Sequence, residues 1–148
     1  MTALTLARPD DLDRLLPLVA AFHAEHGIDQ SDETRRAAVT PLLAGSPHGA
    51  IYLVGPKRAP IGYVVISFGW SLAFAGLDGF LDEIYIRPGV RGRGIGTEIL
   101  SSLPRALSGA GLRALHLEVR RDNAGARALY EKLRFEPRED YMLMSREF

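Results

Sequence analysis

A glycine-rich and arginine-rich segment separates two regular elements near residue 90. The stretch RPGVRGRGIGT, residues 87–97, contains four glycines and three arginines, follows the apolar run FLDEIYI and precedes residues with helical spacing. Each glycine costs backbone entropy, so this many in one short segment require a reason. A strand that enters a helix through small residues leaves the first amide N–H groups unshielded at the positive end of the helix. The segment therefore predicts a strand–loop–helix unit that binds a phosphate group.

The charge balance limits what the chain binds as a whole. Eighteen Lys and Arg residues are matched by eighteen Asp and Glu residues, so the formal net charge at pH 7 is zero. A neutral chain has no general attraction for nucleic acid or for an anionic membrane surface, and we expect neither as a partner. Any anion must therefore be bound locally, where Arg91 and Arg93 supply charge-assisted hydrogen bonds.

Residue types exclude several kinds of site. The chain contains no cysteine, which excludes disulfides, thiolate metal sites and a cysteine nucleophile. Its four histidines are scattered without metal-ligand spacing, so we expect no metal. The N-terminal residues lack the pattern of a secretion signal, and no apolar run approaches the roughly 20 residues that a membrane span needs. These features predict a cytoplasmic protein.

Hydrophobic periodicity predicts alternating strands and helices in a single domain spanning residues 1–148. The predicted order is a strand at 4–7, helices at 10–27 and 31–45, strands AIYLVG and PIGYVVISF, a loop at 69–79, a strand at 80–87, a helix ending near 109, a strand LRALHLEV, a helix NAGARALYEKL and a closing strand DYMLMSREF. Two strand–loop–helix units in the second half argue for an α/β fold with a mixed sheet.

Two common phosphate-binding motifs do not fit the glycine-rich segment. A Walker A loop requires a Gly-Lys pair followed by Ser or Thr, and the chain contains no Gly-Lys pair. A dinucleotide fingerprint requires Gly-x-Gly-x-x-Gly and an acidic residue about 20 positions further on. Here the spacing is Gly-x-Gly-x-Gly, and the strand after the following helix has no suitable acid at its end, so neither motif accounts for the segment.

The segment and its flanks resemble the signature of the GCN5-related N-acetyltransferase (GNAT) superfamily. In that signature a strand is followed by Arg/Gln-x-x-Gly-x-Gly/Ala and a helix, and LDEIYIRPGVRGRGIGTEIL matches it at Arg91, Gly94 and Gly96. A second match lies downstream, where LEVRRDNAGARALYEKLRF is similar to the family's later strand–helix unit. The two motifs lie in the second half of the chain, in the family's order and spacing.

The resemblance implies a particular architecture. The expected fold is the GNAT fold, with a mixed, mostly antiparallel central sheet of six to seven strands flanked by about four helices. A V-shaped splay is expected between the fourth and fifth strands. The chain departs from the family in having Arg134 where a helix-ending glycine is usual, so Arg134 is expected to adopt a positive φ or to end the helix differently.

The resemblance also implies acetyl-coenzyme A as the cosubstrate. Its pantetheine arm would pair with the backbone of Ile84 and Ile86, which adds a strand to an open sheet edge. Asn123 would either contact the pantetheine or cap the last helix. The pyrophosphate would bind at the backbone amides of Arg91, Gly92, Arg93, Gly94, Ile95, Gly96 and Thr97.

The chemistry implied by the resemblance is attack of an amine on a thioester. An alkyl amine with a pKa of about 10.4 must lose a proton before it attacks, so a base is required. Glu83 is narrowly favoured as the base over Glu118, and either carboxylate has a structural alternative as a solvated or ion-paired group. A backbone N–H at Ile84 or Tyr85 would stabilise the oxyanion.

Tyr130 matches the family's general acid, which would protonate the departing thiolate. Its structural alternative is a half-buried aromatic residue packed within the last helix. A primary amine of a small molecule is the favoured acceptor, and a peptide N-terminus or lysine is the alternative. A catalytically inactive acyl-coenzyme A regulator is the non-enzyme alternative. The resemblance also implies a homodimer, formed through the apolar residues of SFGWSLAFAG.

Overall fold

A computed structural model describes residues 2–148 of the chain. The chain divides into two compact units, the first ending at Glu118 and the second comprising Val119–Phe148. None of the helices in the described part is long and apolar enough to cross a membrane. Residues 2–148 also contain no group of three or more His, Cys, Asp or Glu side chains placed to bind a metal ion.

The first unit is built on one sheet whose strands follow the chain order. Each neighbouring pair is antiparallel except the last, β4 and β5, which are parallel. The expectation of six to seven strands is wrong, since the described residues form five. The strands are β1 (Leu4–Leu6), β2 (Gly49–Val54), β3 (Gly62–Ser71), β4 (Gly76–Ile86) and β5 (Ala114–Leu117).

The described residues form four α-helices, as predicted. In the second helix Ser31 is the N-cap, and its hydroxyl accepts a hydrogen bond from the amide of Thr34 at 3.1 Å, which satisfies one of the unpaired amides of the first turn. The first helix buries Leu15, Val19 and Phe22 at helical spacing. The helices are α1 (Leu12–Glu25), α2 (Asp32–Leu43), α3 (Ile95–Gly109) and α4 (Ala124–Lys132).

The predicted loop at residues 69–79 is instead the end of a long hairpin. Gly69 pairs with Asp78, and Ser71 pairs with Gly76, so β3 and β4 continue almost to the turn. Ala75, in the turn, has φ 64°, and Gly76, the first residue of β4, has φ 151°. The loop prediction was wrong because residues 69–75 are largely exposed and the buried positions of residues 76–79 are glycines. The segment therefore lacks the alternation of apolar and polar side chains that usually identifies a strand.

A β-bulge at Asp82 exchanges the two faces of β4. Val65 pairs with Glu83 and Ile66 pairs with Leu81, so Asp82 is an extra residue without a partner on β3. Val65 belongs to the core cluster that packs against α1 and α2. Ile66 lies on the opposite face, where its side chain and those of Leu112 and Leu115 surround Gly79. One extra residue moves every later side chain of the strand to the opposite face of the sheet. The side chain of Glu83 therefore faces α1 and α2, whereas that of Leu81 faces the other side.

A close approach between β3 and β4 requires a glycine at the start of β3, where Gly62 pairs with Ile86 at the end of β4. A Cβ atom on Gly62 would overlap the carbonyl oxygen of Tyr85. The side chain of Tyr85 is buried in the cluster that packs against α1 and α2. Gly62 therefore permits the spacing of the two strands beside the residues that make up the candidate site.

The second unit contains α4 and a C-terminal segment without a strand. Arg134 follows α4 with φ 73°, as one of the two sequence-based alternatives predicted. Its amide donates to the carbonyl of Glu131, and the amide of Phe135 donates to that of Tyr130, which is the Schellman pattern. The prediction of a closing strand at 140–148 is wrong, since these residues form no strand. A strand with successive apolar residues is stable only if other elements bury both of its faces, and here the apolar side chains are exposed.

Candidate active site

A carboxylate with two hydrogen-bond donors lies just beyond the bulge. The hydroxyl of Tyr63 on β3 donates to Oε1 of Glu83 at 2.6 Å. Nε2 of His23 on α1 lies 2.9 Å from Oε2 of the same carboxylate. The side chain of Glu83 is 16% exposed and that of His23 is 8% exposed, so this carboxylate is close to the surface and its partner is not. Two donors fix the orientation of the carboxylate.

The histidine is oriented in turn by an arginine of α2. Nε of Arg35 donates to Nδ1 of His23 at 3.2 Å. An arginine N–H only donates, so Nδ1 is the acceptor and the proton of the neutral ring lies on Nε2. Arg35 itself is buried and bound by Asp32 and by the carbonyl of Gln30. We name the four side chains Arg35, His23, Glu83 and Tyr63 the Glu83 network.

Tyr63 remains protonated within this network. Its side chain is fully buried, and burial together with its hydrogen bond to Glu83 and the negative charge of that carboxylate raises the pKa of the Tyr63 hydroxyl far above its ordinary value. A phenol in these surroundings acts as a donor to the carboxylate. The ring of Tyr63 lies 6.1 Å from that of Tyr85, so both aromatic rings form the floor of the site.

Two further carboxylates lie where β4 and β5 part. Leu81 and Leu117 are the last paired residues of the two strands, so Asp82 and Glu118 are the next residues along each. Partial desolvation, followed by the charges of Glu83 and Glu118, raises the pKa of the Asp82 carboxyl above its usual range, although the residue as a whole is exposed. The three carboxylates create a negative potential at this point.

The edge of β4 beyond Leu81 has no partner strand within the first unit. The amide of Arg87 donates to the carbonyl of Ile61 at 2.8 Å, towards β3. The peptide groups of successive strand residues point to opposite sides and those of alternate residues to the same side, so the amide of Tyr85 also faces β3. Those of Ile84 and Ile86 therefore face the open edge, where Nε of Arg91 donates to the carbonyl of Ile86 at 2.7 Å.

The glycine-rich segment forms an exposed, uncapped helix start. Gly94 is the N-cap of α3 with φ 78°, and no side chain accepts from the first-turn amides. Gly92 also has φ 78°, a conformation that only glycine adopts readily. Cβ atoms built on Gly92, Gly94 and Gly96 would meet nothing within 4 Å. Unshielded amides at the positive end of a helix fit a phosphate group.

The two arginines of this segment differ in their surroundings. Nη2 of Arg91 lies 2.8 and 2.9 Å from the two carboxylate oxygens of Glu25, at the end of α1. Its guanidinium also lies over the ring of Tyr85, 5.4 Å from the centroid. Arg93 is exposed and has no hydrogen-bond partner within residues 2–148. Arg91 therefore connects α1 to the glycine-rich segment, whereas Arg93 has no such connection.

Two predicted site residues belong to the second unit. Oδ1 of Asn123 accepts a hydrogen bond from the amide of Ala126 at 3.1 Å, so Asn123 caps α4. Tyr130 is half-buried, and burial raises the pKa of its hydroxyl. Its ring lies 6.1 Å from that of Phe135 in an edge-to-face arrangement, the apolar contact that accompanies a Schellman turn.

Sequence reasoning did not identify three members of the Glu83 network. Tyr63 is 20 residues from Glu83 and His23 is 60 residues away. The available signal was a histidine at an apolar helical position, since His23 follows Phe22 on the buried side of α1. A buried arginine is a second such signal, and Arg35 occupies a buried position of α2. Neither signal indicates which carboxylate these residues contact.

Three comparisons place this architecture among known proteins. A model described as the acetyltransferase (GNAT) family matches residues 15–135. An uncharacterized N-acetyltransferase of Methanocaldococcus jannaschii is 28% identical over 134 residues, which are 88% of this chain and 58% of that relative. An integron cassette protein from a salt-marsh mobile metagenome is 28% identical, with a TM-score of 0.82 over 97% of this chain and 89% of the other.

A more distant solved structure shares the fold. The aminoglycoside N-acetyltransferase AAC(6')-Iy in complex with coenzyme A has a TM-score of 0.78 and 18% identity, covering 99% of this chain and 95% of the other. Its superposition supports the α/β fold with a mixed sheet. The chain described here spans less than two thirds of the length of its archaeal relative.

The raised pKa of Asp82 predicts a pH-dependent gain in stability on removing its charge. The folded state disfavours the ionised carboxyl, so this group opposes folding above its unfolded pKa near 3.8 and not below it. Solvent screens much of this effect at an exposed residue, so we expect Asp82→Asn to raise the free energy of unfolding at pH 7 by no more than about 0.5 kcal/mol. The gain should fade as the pH falls towards 4, as measured by urea unfolding. Asp29→Asn, at an exposed position, is the control, and an equal gain at both pH values would contradict the assignment.

Proposed function

We propose that this chain, which belongs to the acetyltransferase (GNAT) family, transfers an acetyl group from acetyl-coenzyme A to a primary amine of a small molecule. Acetyl-coenzyme A would supply an acetyl group activated as a thioester. The observation that carries the proposal is the sequence of features along β4: an oriented carboxylate at Glu83, an open edge at Ile84 and Ile86, and an uncapped helix start at Gly94.

The open edge and the uncapped helix start fit the two parts of coenzyme A. The outward peptide group of Ile84 would pair with an amide of the pantetheine arm, as a peptide pairs with a sheet edge. The amides of residues 95–97 and the guanidinium of Arg93 would bind the pyrophosphate. The carbonyl of Ile86 already accepts from Arg91, so Arg91 must shift if that carbonyl is to pair with the pantetheine.

Glu83 is the best candidate for the base that deprotonates the amine. Its two donors leave further lone pairs of the carboxylate available to accept a proton. Glu118 is exposed and follows β5 without a hydrogen-bond partner among the described residues, so its orientation is not fixed. Catalysis by proton transfer depends on a fixed position as well as on basicity, which favours Glu83.

The amide of Ile84 is the better candidate for the oxyanion donor. It points to the open edge, whereas the amide of Tyr85 points towards β3. A backbone donor fixed before the reaction stabilises negative charge on the thioester carbonyl oxygen without reorganisation. The buried ring of Tyr85 would instead pack beneath the site.

The acidic residues of the first unit support a cationic acceptor. Asp82, Glu83 and Glu118 adjoin the parting of β4 and β5, and their summed charge would attract an ammonium group. A small amine and a lysine side chain share this chemistry, so a peptide acceptor is an outcome of the test below. The homodimer stays a prediction; Trp70 and Leu72 at the tip of the β3–β4 hairpin are exposed.

The proposed activity is tested by thiol release from acetyl-coenzyme A. The acceptor panel contains spermidine, tyramine, kanamycin, free lysine, a peptide with an N-terminal alanine and a peptide with an internal lysine. We expect turnover with at least one small amine and weaker turnover with the peptides. No release with any acceptor, together with no calorimetric binding of acetyl-coenzyme A, would refute the proposal. A preference for either peptide would replace the small-molecule acceptor with the alternative.

Removing the charge of Arg93 should weaken coenzyme A binding. Arg93 is exposed without a protein partner among residues 2–148, so Arg93→Gln should leave the fold intact. Loss of a charge-assisted hydrogen bond predicts an increase of about tenfold in the Kd of coenzyme A, measured by calorimetry at low ionic strength. Arg58→Gln, at an exposed position in the turn between β2 and β3, is the matched control. Equal Kd values for both variants would count against a phosphate at this helix start.

Replacing the proposed base should affect turnover more than binding. We expect Glu83→Gln to lower kcat by roughly 100-fold, because general base catalysis contributes 10²–10⁴. Its Kd for acetyl-coenzyme A should not change. Asp82→Asn should mainly raise the KM for the amine. If Glu118→Gln loses activity and Glu83→Gln does not, Glu118 is the base.

Tyr130 is proposed as the general acid on the strength of the family resemblance. Burial raises the pKa of its hydroxyl, so it carries a proton at neutral pH and is able to donate it to a thiolate. Tyr130→Phe should lower kcat about tenfold or more and leave the Kd of coenzyme A unchanged. Tyr141→Phe, at an exposed position of the same unit, is the control. Unchanged kcat in Tyr130→Phe would assign Tyr130 to packing against Phe135.

A further inference from the structure

The orientation of Glu83 depends on residues from three separate elements. Tyr63 of β3 donates to one carboxylate oxygen and His23 of α1 contacts the other. Tyr63 is fully buried and His23 is nearly so. Packing therefore restricts both donors to one rotamer, and the carboxylate they bind cannot rotate without losing a hydrogen bond.

Arg35 determines which nitrogen of His23 faces Glu83 as the donor. Its Nε–H occupies Nδ1, which leaves the Nε2–H to donate to Oε2 of Glu83. Arg35 is anchored by Oδ1 of Asp32 at 2.7 Å and by the carbonyl of Gln30 at 2.9 Å. Each hydrogen bond is therefore donated in the same direction, from Arg35 on α2 to His23 on α1 and from His23 to Glu83 on β4.

The location of the network argues for a role beyond packing. A buried polar array contributes little more stability than apolar side chains of the same volume. This array ends on a carboxylate that is itself 16% exposed, directly after the bulge and next to the open edge at Ile84. The polar series therefore leads from the interior to the proposed reacting group.

We propose that His23 and Tyr63 are positioning residues that hold the carboxylate of Glu83 for proton abstraction, with Arg35 fixing the tautomer of His23. This inference rests on the proposed acetyl transfer and on Glu83 as its base. A base must lie within hydrogen-bond reach of the proton it removes, and a displacement of 1 Å costs roughly 100-fold in rate. His23 and Tyr63 supply this precision from a rigid helix and strand.

The charged and titratable groups around Glu83 come from each neighbouring element. They are His23 on α1, Arg35 on α2, Tyr63 on β3, Asp82 and Tyr85 on β4, and Glu118 after β5. Because several of them titrate, a pH profile alone would mix their effects. The test therefore relies on the separation of kcat from binding, on rescue by a conservative substitution and on coupling to Glu83.

The experiment measures kcat with the panel amine that has the largest kcat/KM, and the Kd of acetyl-coenzyme A by calorimetry. We expect His23→Leu to lower kcat roughly 10- to 100-fold with an unchanged Kd. His23→Gln should recover most of the loss, because its amide is able to donate to Glu83. Tyr63→Phe removes one hydroxyl and keeps the ring, so it should fold and lower kcat about tenfold. His48→Leu, at an exposed position directly before β2, should retain wild-type kcat.

Coupling distinguishes a positioning role from a general structural one. In the Glu83→Gln background, His23→Leu and Tyr63→Phe should cause little further loss, because they act through the carboxylate. The same fold-loss in both backgrounds would overturn the inference, as would wild-type kcat in the single variants or a loss confined to the Kd. If His23→Leu does not unfold cooperatively, His23→Gln and Tyr63→Phe decide the question. Absence of thiol release by the wild-type protein would instead refute the proposed function, and the positioning role with it.

Discussion

The bulge at Asp82 is the constraint on which the arrangement of the site depends. A regular strand would send Leu81 and Glu83 to the same face, and Glu83 would then point away from α1. The extra residue lets Leu81 face the side of Ile66 and lets Glu83 face the side of Val65. A single unpaired residue thus places an ionisable group next to the helices, directly after the apolar pair Phe80 and Leu81 and at the point where the pairing with β5 ends.

The electrostatic environment differs between the two ends of the open edge. At the end near the bulge, partial desolvation and then the charges of Glu83 and Glu118 raise the pKa of the Asp82 carboxyl. At the other end, the glycine-rich segment combines unpaired amides with Arg91 and Arg93. An overall neutral chain therefore has a negative region and a positive region separated by only a few residues of one strand. A cationic acceptor and an anionic cosubstrate would be attracted to different ends, which limits competition between them.

Features set by neighbouring residues could be predicted from the sequence, and features set by distant contacts could not. The glycine-rich helix start and the cap at Ser31 follow from local sequence, and the positive φ at Arg134 was one of two alternatives that local sequence left open. The hairpin at residues 69–79 and the missing closing strand were mispredicted, because exposed strands and unpaired apolar segments lack a diagnostic period. The Glu83 network joins residues up to 60 positions apart, and the bulge that assembles it has no sequence signature. Glu83 was singled out by its motif, but its partners were not.

The contact between Arg91 and Glu25 has a consequence for ionic strength. An anionic ligand that binds the guanidinium of Arg91 competes with the carboxylate of Glu25, which already accepts hydrogen bonds from it. Added salt screens the attraction of the ligand, but it also weakens the internal competitor, since both partners are partly exposed. The two effects partly cancel for Arg91 and do not cancel for Arg93. The affinity for the ligand should therefore decline with salt less steeply than two arginines and a helix dipole would suggest, which would buffer the protein against changes in its ionic surroundings.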